Sequence, residues 1–455
     1  MNEPLLKISV SGIRGIVGEG LTVPAVCRFA AALGSWVGGG RVVVGRDSRP
    51  SGVAFAQTVS AGLVGTGCDV VDLGIVPVPT VGLAVERLRA KAGVMITASH
   101  NPIQWNGLKF LRSDGRFLND AEVQAVIERY RSERFYAASF DRLGGVTQES
   151  GAAAWHQEAV LRLVDVEAIR RRRFRVAIDC CNGAGAVLTP SLLEALGCEV
   201  VPLHAEPNGR FPHPPEPVPA NLGDLSAAVR KHRVDVGFAQ DADADRLAIV
   251  SEQGEPIGEE YTLVLAASLL LEQTPGPVAV NLSTSRLIAD VARARGVQVH
   301  RTKVGEVNVA EGMVRHGAVI GGEGNGGVIH PKLHYMRDSF IAMAMVLELL
   351  TRRRQPLSQI VDSLPRYVMV KRSVHCPQDQ IAEALSRAKT LFAGATLDLQ
   401  DGVWVGLPDG WVHVRGSNTE PLLRVIVEAP TSEQAEAYYH RVADALQLAS
   451  LAKEV

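Results

Sequence analysis

Three stretches of the chain are written on one plan. They are "RVVVGRDSRPSGVAFAQTVSAGLVGTGCDVVDLG" (41–74), "FRVAIDCCNGAGAVLTPSLLEALGCEVVPLH" (174–204) and "PVAVNLSTSRLIADVARARGVQVHRT" (277–302). Each opens with a β-branched run of strand type, passes a polar or glycine-bearing loop, and continues with apolar residues at helical spacing. Gly67, Gly197 and Gly296 close the three helical segments as C-cap glycines do, and a second strand follows at once. A strand–helix–strand unit belongs to a mostly parallel sheet with helices on its faces. Its recurrence predicts three related α/β domains. The 455 residues exceed one hydrophobic core and by length alone correspond to roughly three domains.

A further strand follows each unit and ends in an unusual loop: "GVMITASHNP" (93–102), "DVGFAQDADADR" (235–246) and "AVIGGEGNGG" (318–327). Ligands of open α/β sheets sit beyond the carboxyl ends of strands. Three equivalent loops are therefore expected to face one shared cleft. From residue 366 the pattern changes. "RYVMVKRSVHC" reads as a strand and 378–392 as a helix. A meander follows, with turns at Asp401-Gly402 and Asp409-Gly410, and a last helix covers 431–448. "QPLSQIVDSLP" (355–365) reads as the connector. The expected fold is three related α/β domains with mixed, mostly parallel sheets, plus a C-terminal α+β domain, around a central cleft. The expected boundaries are 1–150, 151–253, 254–365 and 366–455.

The composition is 46% apolar and 21% charged, with a net charge near −2. That balance carries no nucleic-acid footprint. The arginine clusters 170–173 and 352–354 read as solvated helix ends. Six scattered cysteines without a Cys-x-x-Cys pair indicate neither a zinc site nor a redox dithiol, and fit buried thiols in a reducing compartment. "MNEPLLKISVSG" lacks the apolar core of a signal peptide, and no run of about 18 apolar residues suggests a membrane span. A cytoplasmic protein that meets neither membrane nor nucleic acid is expected. A homodimer is allowed for.

The loops carry the chemistry. "DADADR" places Asp241, Asp243 and Asp245 at alternate positions between two strands. Carboxylates so close repel one another, and a divalent cation with a taste for hard oxygen, such as Mg²⁺, removes that cost. An EF-hand is excluded, since Arg246 stands where that loop needs glycine. "RGSNTEP" offers the parts of a metal-free phosphate cradle: Arg415, Gly416, Ser417, Asn418 and Thr419, with Arg424 on the next strand. "GGEGNGGV" holds one acid, Glu323, among small residues that admit a ligand to the backbone. "NGAGA" (182–186) lacks the third glycine of a dinucleotide loop and reads as a tight strand-to-helix turn. Arg14 lies between glycines in "SGIRGIVG". Ser99 invites a Ser-His-Asp reading, but the Gly-x-Ser-x-Gly elbow is absent and His100 is its chain neighbour, a poor position for a base. Serine, carboxylate triplet and phosphate cradle together suggest phosphoryl transfer through the serine oxygen.

In order along the chain, "SGIRG", "TASHNP", "NGLK", "DADADR", "GEGNGG" and "RGSNTEP" closely resemble the motifs of the α-D-phosphohexomutase family, over essentially the whole sequence. The resemblance implies four domains around a deep cleft and a mutase that interconverts hexose 6-phosphate and hexose 1-phosphate. It implies that Ser99 is a phosphoserine, and that Asp241, Asp243 and Asp245 hold one Mg²⁺ per chain together with the Ser99 phosphate. Lys109 matches a lysine proposed as general acid/base, and Arg14 and Arg246 border the transferring phosphate. His100 joins this catalytic set as a residue that holds the loop with Asn101. Glu323 and Asn325 face the sugar, and residues 415–419 with Arg424 bind the phosphate that is not reacting. Hexose 1,6-bisphosphate is the implied intermediate and activator.

Two departures bear on the sugar. Asn325 and Gly327 stand where many members have serine and histidine, and Glu306 in "KVGEV" stands where some glucose- and mannose-type members have histidine. An acid there suits an ammonium group, so glucosamine 6-phosphate is the expected substrate, with mannose or glucose phosphate as alternatives. Two other readings are a metal-dependent sugar phosphatase with an aspartate nucleophile and a sugar-phosphate binder without activity.

Overall fold

The computed structural model describes residues 6–9, 12–417 and 421–448. Each repeated stretch forms the centre of a sheet, and the strand order is the same three times. In the first sheet the order is Trp105–Arg112, Ala92–Ile96, Gly40–Arg46, Cys68–Ile75; in the second, Leu247–Ser251, Val236–Gln240, Arg175–Asp179, Glu199–Leu203; in the third, Gly327–Ile329, Ile320–Glu323, Val278–Asn281, Val299–Thr302. Within each set the three strands of the repeat pair in parallel and the fourth returns antiparallel. The parallel strands read as continuous apolar runs, such as buried Val42, Val43 and Val44, because helices cover both faces. The unusual loops are therefore three hairpin connections at one topological position. Leu6–Ser9 and Gly12–Ile16 extend the first sheet past Trp105–Arg112, which sets Arg14 opposite Gly107.

The helices of the repeat span Gly52–Val64, Thr189–Ala195 and Leu287–Ala294. The anticipated glycines take left-handed φ just beyond them, at 78°, 77° and 66° for Gly67, Gly197 and Gly296. Behind Gly197 the Cys198 amide donates to Leu193 O and the Gly197 amide to Glu194 O, so the last carbonyls find donors. "NGAGA" is a tight turn, as read. Its glycines also serve a contact that the sequence does not reveal: a Cβ on Gly183 would meet the Ala242 backbone, and one on Gly185 would strike the Gln240 side chain. The turn is small because the aspartate loop lies against it.

The second and third sheets share one apolar cluster, in which Phe238, Leu263, Leu270, Phe340 and Leu347 are buried together. The connector is partly helical. Leu357–Asp362 forms a short helix, and Leu357 and Ile360 join that same cluster, so apolar burial overrides the loop-like composition. The C-terminal sheet is antiparallel throughout, in the order Val368–His375, Leu422–Ala429, Trp411–Gly416, Val403–Gly406, Leu397–Asp398, with helices Gln378–Leu391 and Ser432–Ala445 on one face. Among the described residues no helix is long and apolar enough to cross a membrane.

The C-terminal sheet docks on the third unit through polar contacts. His413 meets Ser283 Oγ at 2.9 Å, and Lys371 pairs with Glu259 at 2.7 Å. Glu260 lies in this interface, 15% exposed, and burial raises its pKa to about 8 although Lys371 pulls the other way. The folded protein therefore binds this proton more tightly than the unfolded chain. The associated stability is present below the unfolded carboxylate pKa and is lost as pH rises toward 8. Glu260→Gln is expected to stabilise the protein by about 1–2 kcal/mol at alkaline pH and to do little near the unfolded carboxylate pKa. Thermal melts of both proteins across that range measure it, and parallel curves would contradict the assignment.

Candidate active site

Ser99 sits at the end of Ala92–Ile96 with φ +51°, a conformation that a side chain other than glycine adopts at a cost. Its hydroxyl donates to Asp241 Oδ2 at 3.0 Å, across from the first sheet to the second. The Thr97 hydroxyl accepts the Ser99 amide at 2.9 Å and lies 2.7 Å from Asp47 Oδ2 and 3.2 Å from Asp243 Oδ2. Chain adjacency does not keep the His100 ring away, contrary to expectation. The left-handed turn at Ser99 brings Nδ1 to 3.4 Å from Oγ. Burial, with Arg246 and Arg14 close by, pushes the His100 pKa down to about 2, so the ring is neutral and a weak base. Arg14 donates to Asn101 Oδ1 at 3.0 Å.

The strain at Ser99 is held by a residue the sequence reading passed over. Arg49 is fully buried; it donates to Ser99 O at 2.8 Å and Asn101 O at 2.5 Å, and pairs with Asp47. The signal was available, since "GRDSR" also follows a strand of the repeat. Arg49→Lys cannot fork to two carbonyls and a carboxylate at once. It is expected to lower kcat by about 10–100-fold through a misplaced Ser99, with KM changed little. Equal loss in both constants would point to a different role.

Asp241, Asp243 and Asp245 are fully buried, and their carboxylate oxygens come within 4.8 Å of one another. Burial, with Asp245 and Asp243 beside it, raises the Asp241 pKa. For Asp243 the Lys109 ammonium and Arg14 overcome the same burial and lower it. Lys109, on the strand paired with that of Ser99, lies 2.8 Å from Asp243 and 3.6 Å from Asp245. Asp243 Oδ1 and Asp245 Oδ1 are buried with no hydrogen-bond partner. Buried carboxylate oxygens left unpaired are costly, and a hard divalent cation is the partner that suits a set made only of oxygen. The residues present thus fit Mg²⁺. Arg246 reaches Glu216 at 3.4 Å, and its amide donates to Asp241.

A second residue absent from the sequence reading organises the third loop. Arg337 is buried and contacts three acids, Asp245 at 2.6 Å, Glu323 at 2.9 Å and Glu306 at 3.1 Å. Its backbone amide also donates to Glu306. The acids expected to face the sugar are therefore engaged by protein. Glu323 further accepts from Asn281 and the Gly305 amide, and Glu306 is pushed up to about 7 by burial although Arg337 opposes it. The unusual glycine of the third loop follows from this arginine, since a Cβ on Gly327 would stand 2.2 Å from Arg337 Cδ. Asn325 keeps a buried Oδ1 without a partner. The sequence signal for Arg337 was slight, an Arg-Asp pair before a helix that Asp338 caps.

In the C-terminal loop Arg415 pairs with Asp401 at 3.2 Å, and Arg424 stands directly across the strand pair from it. Like charges opposed on one face are unfavourable unless an anion joins them. Asp401 also accepts the Val304 amide, so a line of polar contacts runs from Arg415 through residues 304–305 to Glu323, Arg337 and the aspartate loop. The Ser417 amide donates to Leu422 O. Asn418 and Thr419 lie outside the described residues. The structure thus brings together Ser99, His100, Lys109, Arg14, the three aspartates, Arg246, Glu306 and Glu323, and links Arg415 to them through Asp401.

Four family models match in order. They are phosphoglucomutase/phosphomannomutase alpha/beta/alpha domains I (6–137), II (154–254) and III (258–367), and the C-terminal domain (370–445). A protein of Methanopyrus kandleri named "Probable phosphoglucosamine mutase" is 43% identical over 93% of this chain and 94% of its own. A "Phosphoglucomutase/phosphomannomutase" of Thermococcus kodakarensis is 38% identical over 94% and 95%. A solved phosphoglucomutase/phosphomannomutase family protein of Burkholderia thailandensis superposes with a TM-score of 0.85 at 29% identity, covering 97% of this chain and 98% of that one. With all four domains matched in sequence and the same layout in space, the chain belongs to the phosphoglucomutase/phosphomannomutase family and is a phosphohexomutase.

Proposed function

We propose that the enzyme converts glucosamine 6-phosphate to glucosamine 1-phosphate through a phosphorylated Ser99 and a bisphosphorylated sugar. The observation that carries this reading is the Ser99 hydroxyl 3.0 Å from Asp241, among cationic Arg14, Lys109 and Arg246. In the first transfer the bond between phosphorus and Ser99 Oγ breaks as an oxygen of the substrate sugar takes the phosphorus. The sugar hydroxyl gives up its proton, and Ser99 Oγ gains one. Lys109 holds or moves the proton, and Arg14 and Arg246 offset the charge on the phosphoryl oxygens. The bisphosphate then turns over, and its other phosphate returns to Ser99. Arg415, Gly416, Ser417, Asn418, Thr419 and Arg424 hold whichever phosphate is not reacting. Family members generally depend on Mg²⁺. Asp241, Asp243 and Asp245 would hold it, with the Ser99 phosphate; when bound it supplies neutralisation of charge that develops during transfer. Hexose 1,6-bisphosphate would prime the unphosphorylated enzyme.

Glu306 supports the amino sugar. Arg337 uses one acceptor position on each of its oxygens, which leaves one on each for an ammonium group. The name of the Methanopyrus relative points the same way. A second reading, mannose or glucose phosphate, is favoured by the same contacts, because Arg337 already balances much of the charge on Glu306 and Glu323. The test is a panel of glucosamine, glucose, mannose and N-acetylglucosamine 6-phosphates with Mg²⁺ and a trace of hexose 1,6-bisphosphate. Fastest turnover of glucosamine phosphate is expected. Preference for a neutral sugar would overturn the substrate, and release of inorganic phosphate without isomerisation would favour the phosphatase.

A further inference from the structure

Outside the active site, Asp179, His204 and His213 bring two imidazoles and a carboxylate within 4.8 Å of one another. Asp179 ends the strand Arg175–Asp179, and the histidines come from the segment that follows Glu199–Leu203. His213 Nε2 lies 3.0 Å from Asp179 Oδ2, and His204 Nδ1 lies 3.1 Å from Asp179 Oδ1. The other nitrogen of His213, Nδ1, lies 2.9 Å from Pro214 O, which can only accept. Nδ1 must therefore carry a proton, and in a neutral ring the lone pair of Nε2 points at a carboxylate. Either a second proton on the ring, with Nε2 donating to Asp179, or a metal cation has to stand between them.

The second His-Asp-His group makes no such demand. There the Met336 amide donates to His334 Nδ1 at 3.1 Å, and the Thr80 hydroxyl lies 2.9 Å from His156 Nδ1. Both rings can then donate from Nε2 to Asp338, at 2.7 Å and 2.8 Å, while remaining neutral. That group closes on its own hydrogen bonds.

We propose that Asp179, His204 and His213 form a second metal site, selective for a divalent transition ion of the zinc class and distinct from the aspartate loop. Two donors on one such ion, each about 2.1 Å from it, stand roughly 3.0–3.4 Å apart between right-angle and tetrahedral geometry. The observed nitrogen–oxygen distances are 3.0 and 3.1 Å. Metal-bound histidines usually donate their other N–H to a carbonyl or carboxylate. Pro214 O fills that part for His213, while the Asp224 carboxylate lies 3.6 Å from His204 Nε2, beyond direct hydrogen-bond reach. The Cys181 amide orients Asp179 at 2.8 Å. Imidazole donors favour Zn²⁺ over Mg²⁺, so the two sites sort their ions by ligand chemistry. The ion would brace a segment with mechanical reach. Gly209 packs against the Ser48 and Arg49 backbone, and Glu216 contacts Arg246.

The test uses the whole enzyme in millimolar Mg²⁺, titrated with Zn²⁺ and separately with Co²⁺. The wild type is expected to retain one more equivalent of Zn²⁺ than His204→Asn or His213→Gln, and to rise in melting temperature on binding it. Loss of an orienting partner alone costs about 10–100-fold in metal affinity, so loss of a ligand should cost at least as much. Co²⁺ should give visible absorption bands of nitrogen coordination that both variants lose. Two variants are used so that a folding defect in one does not decide the result. Equal Zn²⁺ retention in all three proteins, or none in the wild type, overturns the proposal and leaves His213 as a protonated imidazolium.

Discussion

Ser99→Ala is expected to abolish isomerisation, by at least about 10⁴-fold in kcat, without unfolding the protein. No other described side chain is placed to take its part. The Thr97 hydroxyl lies 2.7 Å from Asp47 and also accepts the Ser99 amide, which ties it to the loop. The substitution removes one hydroxyl and a hydrogen bond to Asp241, so the stability cost should stay near 1 kcal/mol. Mg²⁺ binding should persist, because within the aspartate triplet the buried oxygens without partners belong to Asp243 and Asp245. Three measurements check this: isomerisation of hexose phosphate, the melting temperature, and mass spectrometry of the peptide that contains residue 99 after incubation with hexose 1,6-bisphosphate. Residual activity within about tenfold of wild type would remove Ser99 from the mechanism.

Arg337→Met is expected to have the largest combined effect on stability and activity. The substitution leaves Asp245, Glu306 and Glu323 buried without the cation that joins them. Removing one partner from a buried pair costs about 3–5 kcal/mol, since the remaining charge stays uncompensated. For a protein of this size the melting temperature should fall by about 3–5 °C. The loss should depend on pH with a definite sign. Glu306 already has its pKa raised to about 7 by burial despite Arg337, and without the arginine it rises further. A raised folded pKa means stability is lost as pH rises, so the gap between wild type and variant should widen as pH rises through about 7. Activity should fall by about 100-fold, because Glu323 and the aspartate loop lose their common tether. Arg337→Lys should rescue little, since a single ammonium cannot match a fork that meets three acids. A melting temperature unchanged at alkaline pH would show that the acids are balanced by another group.

Much of the site was legible because its chemistry is local in the chain. Ser99, the aspartate triplet and Glu323 announce themselves as polar residues ending apolar strands, and the repeat says that such endings are equivalent. The identical strand order in three sheets is that repeat made spatial. Arg49 lies in the local motif "GRDSR" beside its partner Asp47, whereas Arg337 has no such local signal. A buried arginine is identified by its partners, and those of Arg337 lie 14, 31 and 92 residues away. The short helix Leu357–Asp362 is not legible in the composition of the connector because its burial depends on a core built by other segments. The His100 contact with Ser99 was missed because it depends on a single left-handed residue.

What one-dimensional pattern establishes here is the inventory: a unit repeated three times, a different tail, and loops rich in groups suited to a cation and to phosphate. Those properties follow from periodicity and side-chain chemistry, which act over a few residues. Tertiary structure decides how the inventory is spent. The docking of the sheets sets Ser99 Oγ against Asp241, 142 residues away, and commits Glu306 and Glu323 to Arg337. Gly327, an oddity in the sequence, becomes the space through which that arginine passes. Lone pairs and charges are shared only once chains meet, so which acid is left for a sugar is a property of the fold.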